Sequence, residues 1–353
     1  MNPKLKNIFA QLEKENLQLL IVSSPYNISY LTNFPGRDSC LLISKKKNIF
    51  FTDSRYFERA KISLKKTIKV VKINAPISKM IADSCKNLRV KRVGFEEKSL
   101  NFGEYQRLKQ ALSQNINFVH TSNLIEKQRE LKGREEIRKV KEATRITILA
   151  FRFIKGFLKP GIKEIEIAAE LERFIRYNGA QASAFDIIVA SGQNSTFPHH
   201  VTSSKRMGNN EPVLIDVGVE YLGYKSDLTR VFFLGKINTL YGEIYKIVLG
   251  AQAEAIAKIK PSVPVSLIDA SAREYIVKKG YGEYFGHALG HGIGLEIHEA
   301  PRVNKENNGL LRAGMILTIE PAIYIPGKFG VRLEDMVLVT EKGCVVLSGA
   351  LNK

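Results

Sequence analysis

Five side chains with metal-binding chemistry recur in the C-terminal part of this chain, each set in a stretch that reads as buried. The stretches are Leu-Ile-Asp216-Val-Gly, Ser-Asp227-Leu-Thr-Arg, Gly-His291-Gly-Ile-Gly, Ile-Glu320-Pro-Ala and Arg-Leu-Glu334-Asp. Asp216 ends an apolar run that begins at Pro212, Glu320 follows one that begins at Met315, and Glu334 follows Val331-Arg332-Leu333. A carboxylate in such a place is costly unless it meets a partner. Any fold of this chain therefore has to bring these acids to cations. Four carboxylates and one imidazole suit two hard-to-borderline divalent ions sharing a site. Two such ions can bridge a water and make it a nucleophile near neutral pH. The alternative for Glu320 or Glu334 taken singly is an ion pair with Arg230 or Arg332.

The histidines cluster around the same region. Of six, five fall in two groups, His199–His200 and His287, His291 and His298, leaving only His120 elsewhere. Asp216 and Asp227 are separated by Gly218 and Gly223, so two strands joined by a tight turn bring both carboxylates to one face. Ser226, Thr229 and Arg230 flank Asp227 and are positioned to orient it. The glycines at 290, 292 and 294 lack the strand–GxGxxG–helix frame of a dinucleotide loop. His287 and His291 do not make a zincin helix either, because Ala288 stands where the glutamate belongs. The glycines instead suit close approach to ligands or to a neighbouring strand.

Composition limits the rest. At 353 residues the chain has room for two domains with real cores, and 44% hydrophobic and 25% charged residues are ordinary for a globular protein. No run of eighteen apolar residues spans a membrane, and Glu13 and Glu15 break any secretory core near the N-terminus. Cys40, Cys85 and Cys344 are scattered and form no CxxC pair, which points to a reducing, cytoplasmic setting without thiolate zinc. The net charge of +19 raises the question of nucleic acid. Residues 1–131 hold 24 basic against 11 acidic residues, and 132–353 hold 30 against 24. The lysines are mostly dispersed, with Lys45-Lys46-Lys47 and Lys65-Lys66 as short exceptions at turns or strand ends. No nucleic-acid motif accompanies them, so no specific nucleic acid is expected.

The first 125 residues alternate strands (17–23, 40–44, 49–52, 68–73, 92–95) with helices (55–65, 77–87, 103–112), an α/β pattern. The boundary falls near 123–132, giving domains 1–125 and 126–353. Helices follow at 135–158, stopped by Pro160-Gly161, and at 162–178. Strands come next at 186–190, 211–218 and 223–234. Helices at 240–259 and 266–279 then precede strands at 315–325 and 331–340. The helix-helix-strand order occurs twice, which predicts an internal duplication of α+β content.

At this point the segments resemble those of the pita-bread metallopeptidases, the group of methionine aminopeptidases, aminopeptidase P and prolidases. The resemblance spans nearly the whole chain. It implies an α+β pita-bread catalytic domain preceded by a smaller α/β creatinase-like domain, matched here by Asn27-Ile-Ser-Tyr-Leu-Thr-Asn-Phe34 and Thr52-Asp-Ser-Arg-Tyr56. It assigns Asp216, Asp227, His291, Glu320 and Glu334 as ligands of two divalent ions, Mn²⁺ first, with Co²⁺, Fe²⁺ or Zn²⁺ as alternatives. Pro198-His199 and His298 match substrate-side histidines, and His287 matches a third from the proline-specific branch. Arg332-Leu-Glu334-Asp335 has that branch's Arg-x-Glu-Asp form. The implied activity is hydrolysis of an Xaa-Pro bond at a peptide N-terminus or in a dipeptide. His199, His298 and Glu320 would be catalytic, with Glu320 the proton shuttle, and His287 and Arg332 would bind and orient. A homodimer is implied too. A methionine aminopeptidase-type exopeptidase, a metal-free creatinase-like enzyme and a non-catalytic peptide-binding module are the rivals, the last two disfavoured by the intact ligand set. His200, where prolidase-like members often carry glycine, leaves the exact substrate open, and the choice between dipeptides and longer peptides depends on what closes the far side of the pocket.

Overall fold

The computed structural model describes residues 3–64 and 68–353. The Lys65-Lys66 pair and the end of the expected 55–65 helix lie outside them. Contacts divide the chain into Met1–Arg129 and Glu130–Lys353.

The first unit is a six-stranded mixed sheet with helices. Its strand order is Lys69–Lys72, Ile49–Thr52, Ser39–Ile43, Leu19–Val22, Arg92–Glu96 and Asn117–Thr121. Leu19–Val22 is buried along its whole length, as a central strand covered on both faces should be. The lysine turn at 45–47 does join a hairpin, in which Leu42 pairs with Ile49. Three helices have no counterpart in the sequence reading, Pro3–Lys14, Pro25–Thr32 and the short Glu126–Arg129. The second is capped by Ser24 with Pro25 in its first turn.

The second unit repeats two helices and then strands. Arg134–Ile154 and Glu164–Tyr177 precede the sheet of Ile188–Ser191, Pro212–Val217 and Leu228–Phe233. Thr239–Ala257 and Val265–Lys278 precede the five-stranded sheet that contains Gly290–Gly292, Ile316–Ile319 and Asp335–Val339. The first helix buries Val140, Ala143, Thr147, Phe151 and Ile154, an apolar stripe at helical spacing. It ends four residues before the expected position, because Gly156 and Phe157 turn into tighter bonds to Phe153 and Ile154. The expected 315–325 strand is also interrupted, at Glu320-Pro321, since proline has no N–H for the ladder. Among the described residues no helix is long and apolar enough to cross a membrane.

Candidate active site

Two antiparallel pairs set up the site. In the first, Asp216 pairs with Thr229 and Val217 with Leu228, and beyond a break in the ladder Glu220 pairs with Lys225 in the same register, which sets Gly218 opposite Asp227. Asp216 and Asp227 therefore share one face. The tip is Leu222-Gly223, both at positive φ, the conformation of a tight primed turn. A Cβ at Gly218 would lie 2.5 Å from the Phe185 ring and 2.3 Å from Ser226 O, so glycine is required opposite Asp227.

In the second pair, Ile319 faces Asp335 and Ala322 faces Arg332, which sets Glu320 opposite Glu334. Two like charges across a strand pair repel each other. His291 comes from the short strand Gly290–Gly292, wedged between Glu299–Val303 and Ile316–Ile319. A Cβ on Gly290 would stand 1.9 Å from Thr318 O, and one on Gly292 would stand 2.2 Å from Ala300 O. These glycines serve strand-to-strand approach.

All nine side chains singled out from the sequence line one cavity of about 530 Å³. Ligand atoms of Asp227, His291 and Glu334 lie within 4.8 Å of one another. His291 Nε2 is 3.6 Å from both Asp227 Oδ2 and Glu320 Oε1. Arg332 Nη2 donates to Asp216 Oδ2 at 2.6 Å, and its other nitrogens donate to Tyr324 OH, Pro198 O and Thr229 Oγ1. Asp216, Asp227, His291, Arg332 and Glu334 are buried. The Glu320 side chain keeps 19% exposure, against 12% for Asp216 and 9% for Asp227, so of the three it is the one most open to the cavity.

The charge balance tests whether a metal fits. Four carboxylates meet one arginine here. Burial, then Asp216 and Glu320, push the Asp227 carboxyl well above the usual range. Burial, then Asp227 and Glu320, do the same to Glu334. Oδ1 of Asp216 and of Asp227 is buried without a hydrogen-bond partner among the described residues. Unpaired buried oxygens on an over-acidic face are what a divalent cation would satisfy, and the O/N donor set suits one. The residues fit the group.

The surrounding histidines differ from one another. His298 stacks edge-on against His291 with ring centres 4.4 Å apart. Burial and the neighbouring His291 lower its pKa to about 4, so it is a neutral imidazole at pH 7. Burial likewise lowers His287 to about 4, and its Nε2 has no partner among the described residues. His199 is exposed at the cavity wall. His200 turns away and binds Glu164 at 2.9 Å.

Three orienting roles expected around Asp227 are corrected. Ser226 Oγ is engaged with Thr147 and Val219 N, Thr229 Oγ1 donates to Glu334 Oε2, and Arg230 holds Asp335 and the carbonyl of Glu334. The β-pairing explains this, because Thr229 lies two residues along from Asp227 and beside the second strand pair. Arg332 and Arg230 pair with Asp216 and Asp335, not with Glu320 or Glu334 through their side chains. Sequence reasoning missed Phe185, Ile188, Ile297 and Arg302 in the wall, and Tyr324 beside it. Arg302 is the register partner of His291, a relation invisible without the sheet.

The model of metallopeptidase family M24 matches residues 138–341, and that of the creatinase/prolidase N-terminal domain matches residues 4–131. An Xaa-Pro dipeptidase of Pyrococcus horikoshii is 37% identical, over 97% of this chain and 96% of its own length. The solved Xaa-Pro dipeptidase of Bacillus anthracis superposes with a TM-score of 0.95 at 40% identity, covering 99% of this chain and 98% of its own. The X-Pro aminopeptidase of Thermotoga maritima superposes with a TM-score of 0.88 at 35% identity, covering 96% and 97%.

Proposed function

This chain belongs to metallopeptidase family M24, and from that membership we propose that it hydrolyses the bond between a first residue and a following proline in short peptides. The observation that carries the reading is the facing pair Glu320 and Glu334, joined by Asp216, Asp227 and His291 around one histidine-lined cavity.

Two divalent cations, Mn²⁺ by family resemblance, would offset the acidic charge, polarise a substrate carbonyl and acidify an attacking water. Asp216, Asp227, His291, Glu320 and Glu334 would hold them. Glu320 passes a proton from the water to the leaving proline nitrogen. Neutral His298 donates an N–H to the developing oxyanion, and His199 grips the scissile region from the cavity wall. His287, packed 5.8 Å from the Tyr324 ring, walls the proline. Arg332 orients Asp216 through its hydrogen bond to Oδ2. Arg302, which lines the same cavity, takes the substrate carboxylate, which favours dipeptides. A cytoplasmic homodimer completes the reading, and light scattering of the purified protein tests the dimer.

The deciding experiment strips the protein with chelator, restores Mn²⁺ and assays Leu-Pro, Leu-Pro-Gly and Met-Ala. Metal-dependent cleavage of Leu-Pro, weaker cleavage of Leu-Pro-Gly and none of Met-Ala is the expected result. Cleavage of Met-Ala in preference to both proline peptides would replace it with a methionine aminopeptidase.

A further inference from the structure

Behind the two facing glutamates lies a second network that the reaction does not use. Gln252 is wholly buried on the helix Thr239–Ala257. Its amide nitrogen donates to Ile319 O and to Leu333 O, each at 2.9 Å. Those carbonyls belong to the residues immediately before Glu320 and Glu334. One amide group therefore spans the two segments that carry the facing carboxylates. The amide oxygen accepts from Lys353 Nζ, which also sits 2.5 Å from Asp335 Oδ2. Asp335 further accepts from Arg230 Nη2 at 2.7 Å and Ser348 Oγ at 2.6 Å, and Arg230 Nη1 donates to Glu334 O at 2.6 Å. The backbone on either side of Glu334, and that before Glu320, is thus tied to one amide and two cations.

We propose that Gln252 and Lys353 are positioning residues that fix the separation of Glu320 and Glu334 and so set how tightly the cavity holds divalent cations. The proposal rests on the reading of those glutamates as metal ligands. Lys353 orients the Gln252 amide by occupying its oxygen, leaving both N–H groups for the carbonyls. Without the ammonium the buried amide oxygen loses its donor, and the span between the two segments loosens. Partners that orient metal ligands from behind typically change metal affinity by about 10–100-fold when removed.

The test titrates Mn²⁺ into the chelator-stripped full chain by calorimetry, with kcat and KM for Leu-Pro and the melting temperature of the metal-free protein measured alongside. Lys353→Met keeps the length and removes the charge, Lys353→Arg restores it, and Gln252→Met removes both donors. Expected results are a roughly tenfold weaker Mn²⁺ affinity in Lys353→Met, a lower kcat with KM little changed, and recovery of both in Lys353→Arg. Gln252→Met should weaken binding at least as much. Should Gln252→Met not fold, the Lys353 pair of variants decides alone. Unchanged Mn²⁺ affinity in Lys353→Met, or a fall that Lys353→Arg does not reverse, overturns the proposal. A wild-type protein that binds no Mn²⁺ overturns the ligand reading and the proposal with it, an outcome separable from the first.

Discussion

Arg332 Nη2 lies 2.6 Å from Asp216 Oδ2, and both residues are almost sealed from water. Breaking a buried pair by removing one partner leaves an uncompensated charge, which costs about 3 kcal/mol or more. Arg332→Met should lower the stability of the metal-free protein by about that much. Saturating Mn²⁺ should recover much of the loss, since the cation supplies the missing positive charge. Urea unfolding with and without Mn²⁺ measures both effects.

Glu320→Gln removes the proton shuttle and keeps the shape of the side chain. Turnover of Leu-Pro should fall by roughly 10²–10⁴-fold. The circular dichroism melt should stay within a few degrees of the parent. Near-normal kcat in a folded variant would take Glu320 out of its role.

Arg302 separates dipeptides from longer substrates. It lines the cavity, and its strand position is opposite His291. Arg302→Ala should raise KM for Leu-Pro by roughly tenfold or more, the worth of one charge-assisted hydrogen bond. KM for Leu-Pro-Gly should move much less. Equal effects on the two peptides would place the substrate carboxylate elsewhere.

The N-terminal unit has a pH-sensitive residue of its own. Glu96 is buried under Ser23, Ser24 and Asn27, which donate four hydrogen bonds to it, and burial raises its pKa to about 6. The folded chain therefore holds this proton more tightly than the unfolded one. The stabilisation is complete below about pH 4 and is lost as pH rises through about 6, amounting to about 2 kcal/mol. Glu96→Gln gives up the bond from Asn27 yet should flatten this slope. Denaturation midpoints at several pH values between 4 and 7 check it.

Much of the second unit was legible in the sequence because its signals are local. The strands that carry Asp216 or flank Asp227, Glu320 and Glu334 are apolar runs, and the helices show apolar stripes at helical spacing. The carboxylates stood out because each ends or interrupts such a run. In the first unit, Leu5, Ile8 and Leu12 do lie along one buried face of Pro3–Lys14, so that helix left a readable trace. Pro25–Thr32 left less, with only the Ser24-Pro25 start to mark it. Asn117–Thr121 is an edge strand whose exposed Asn117 and His120 dilute any apolar pattern. Arg302, Tyr324, Gln252 and Lys353 could not be found along the chain. Their roles come from partners far away in sequence, fixed only once strand register and helix packing exist.

The hairpin that carries both aspartates ties their fate to counting. Side chains alternate between faces, so a single residue added or removed between Asp216 and Gly218, or between Asp227 and Thr229, would rotate part of the ladder and send one acid to the wrong side. Extra residues at the Leu222-Gly223 tip would be absorbed by the loop and leave the pairing below untouched. Tolerance to insertion should therefore change from ready acceptance to complete loss within about four residues along one strand, given the alternation of faces.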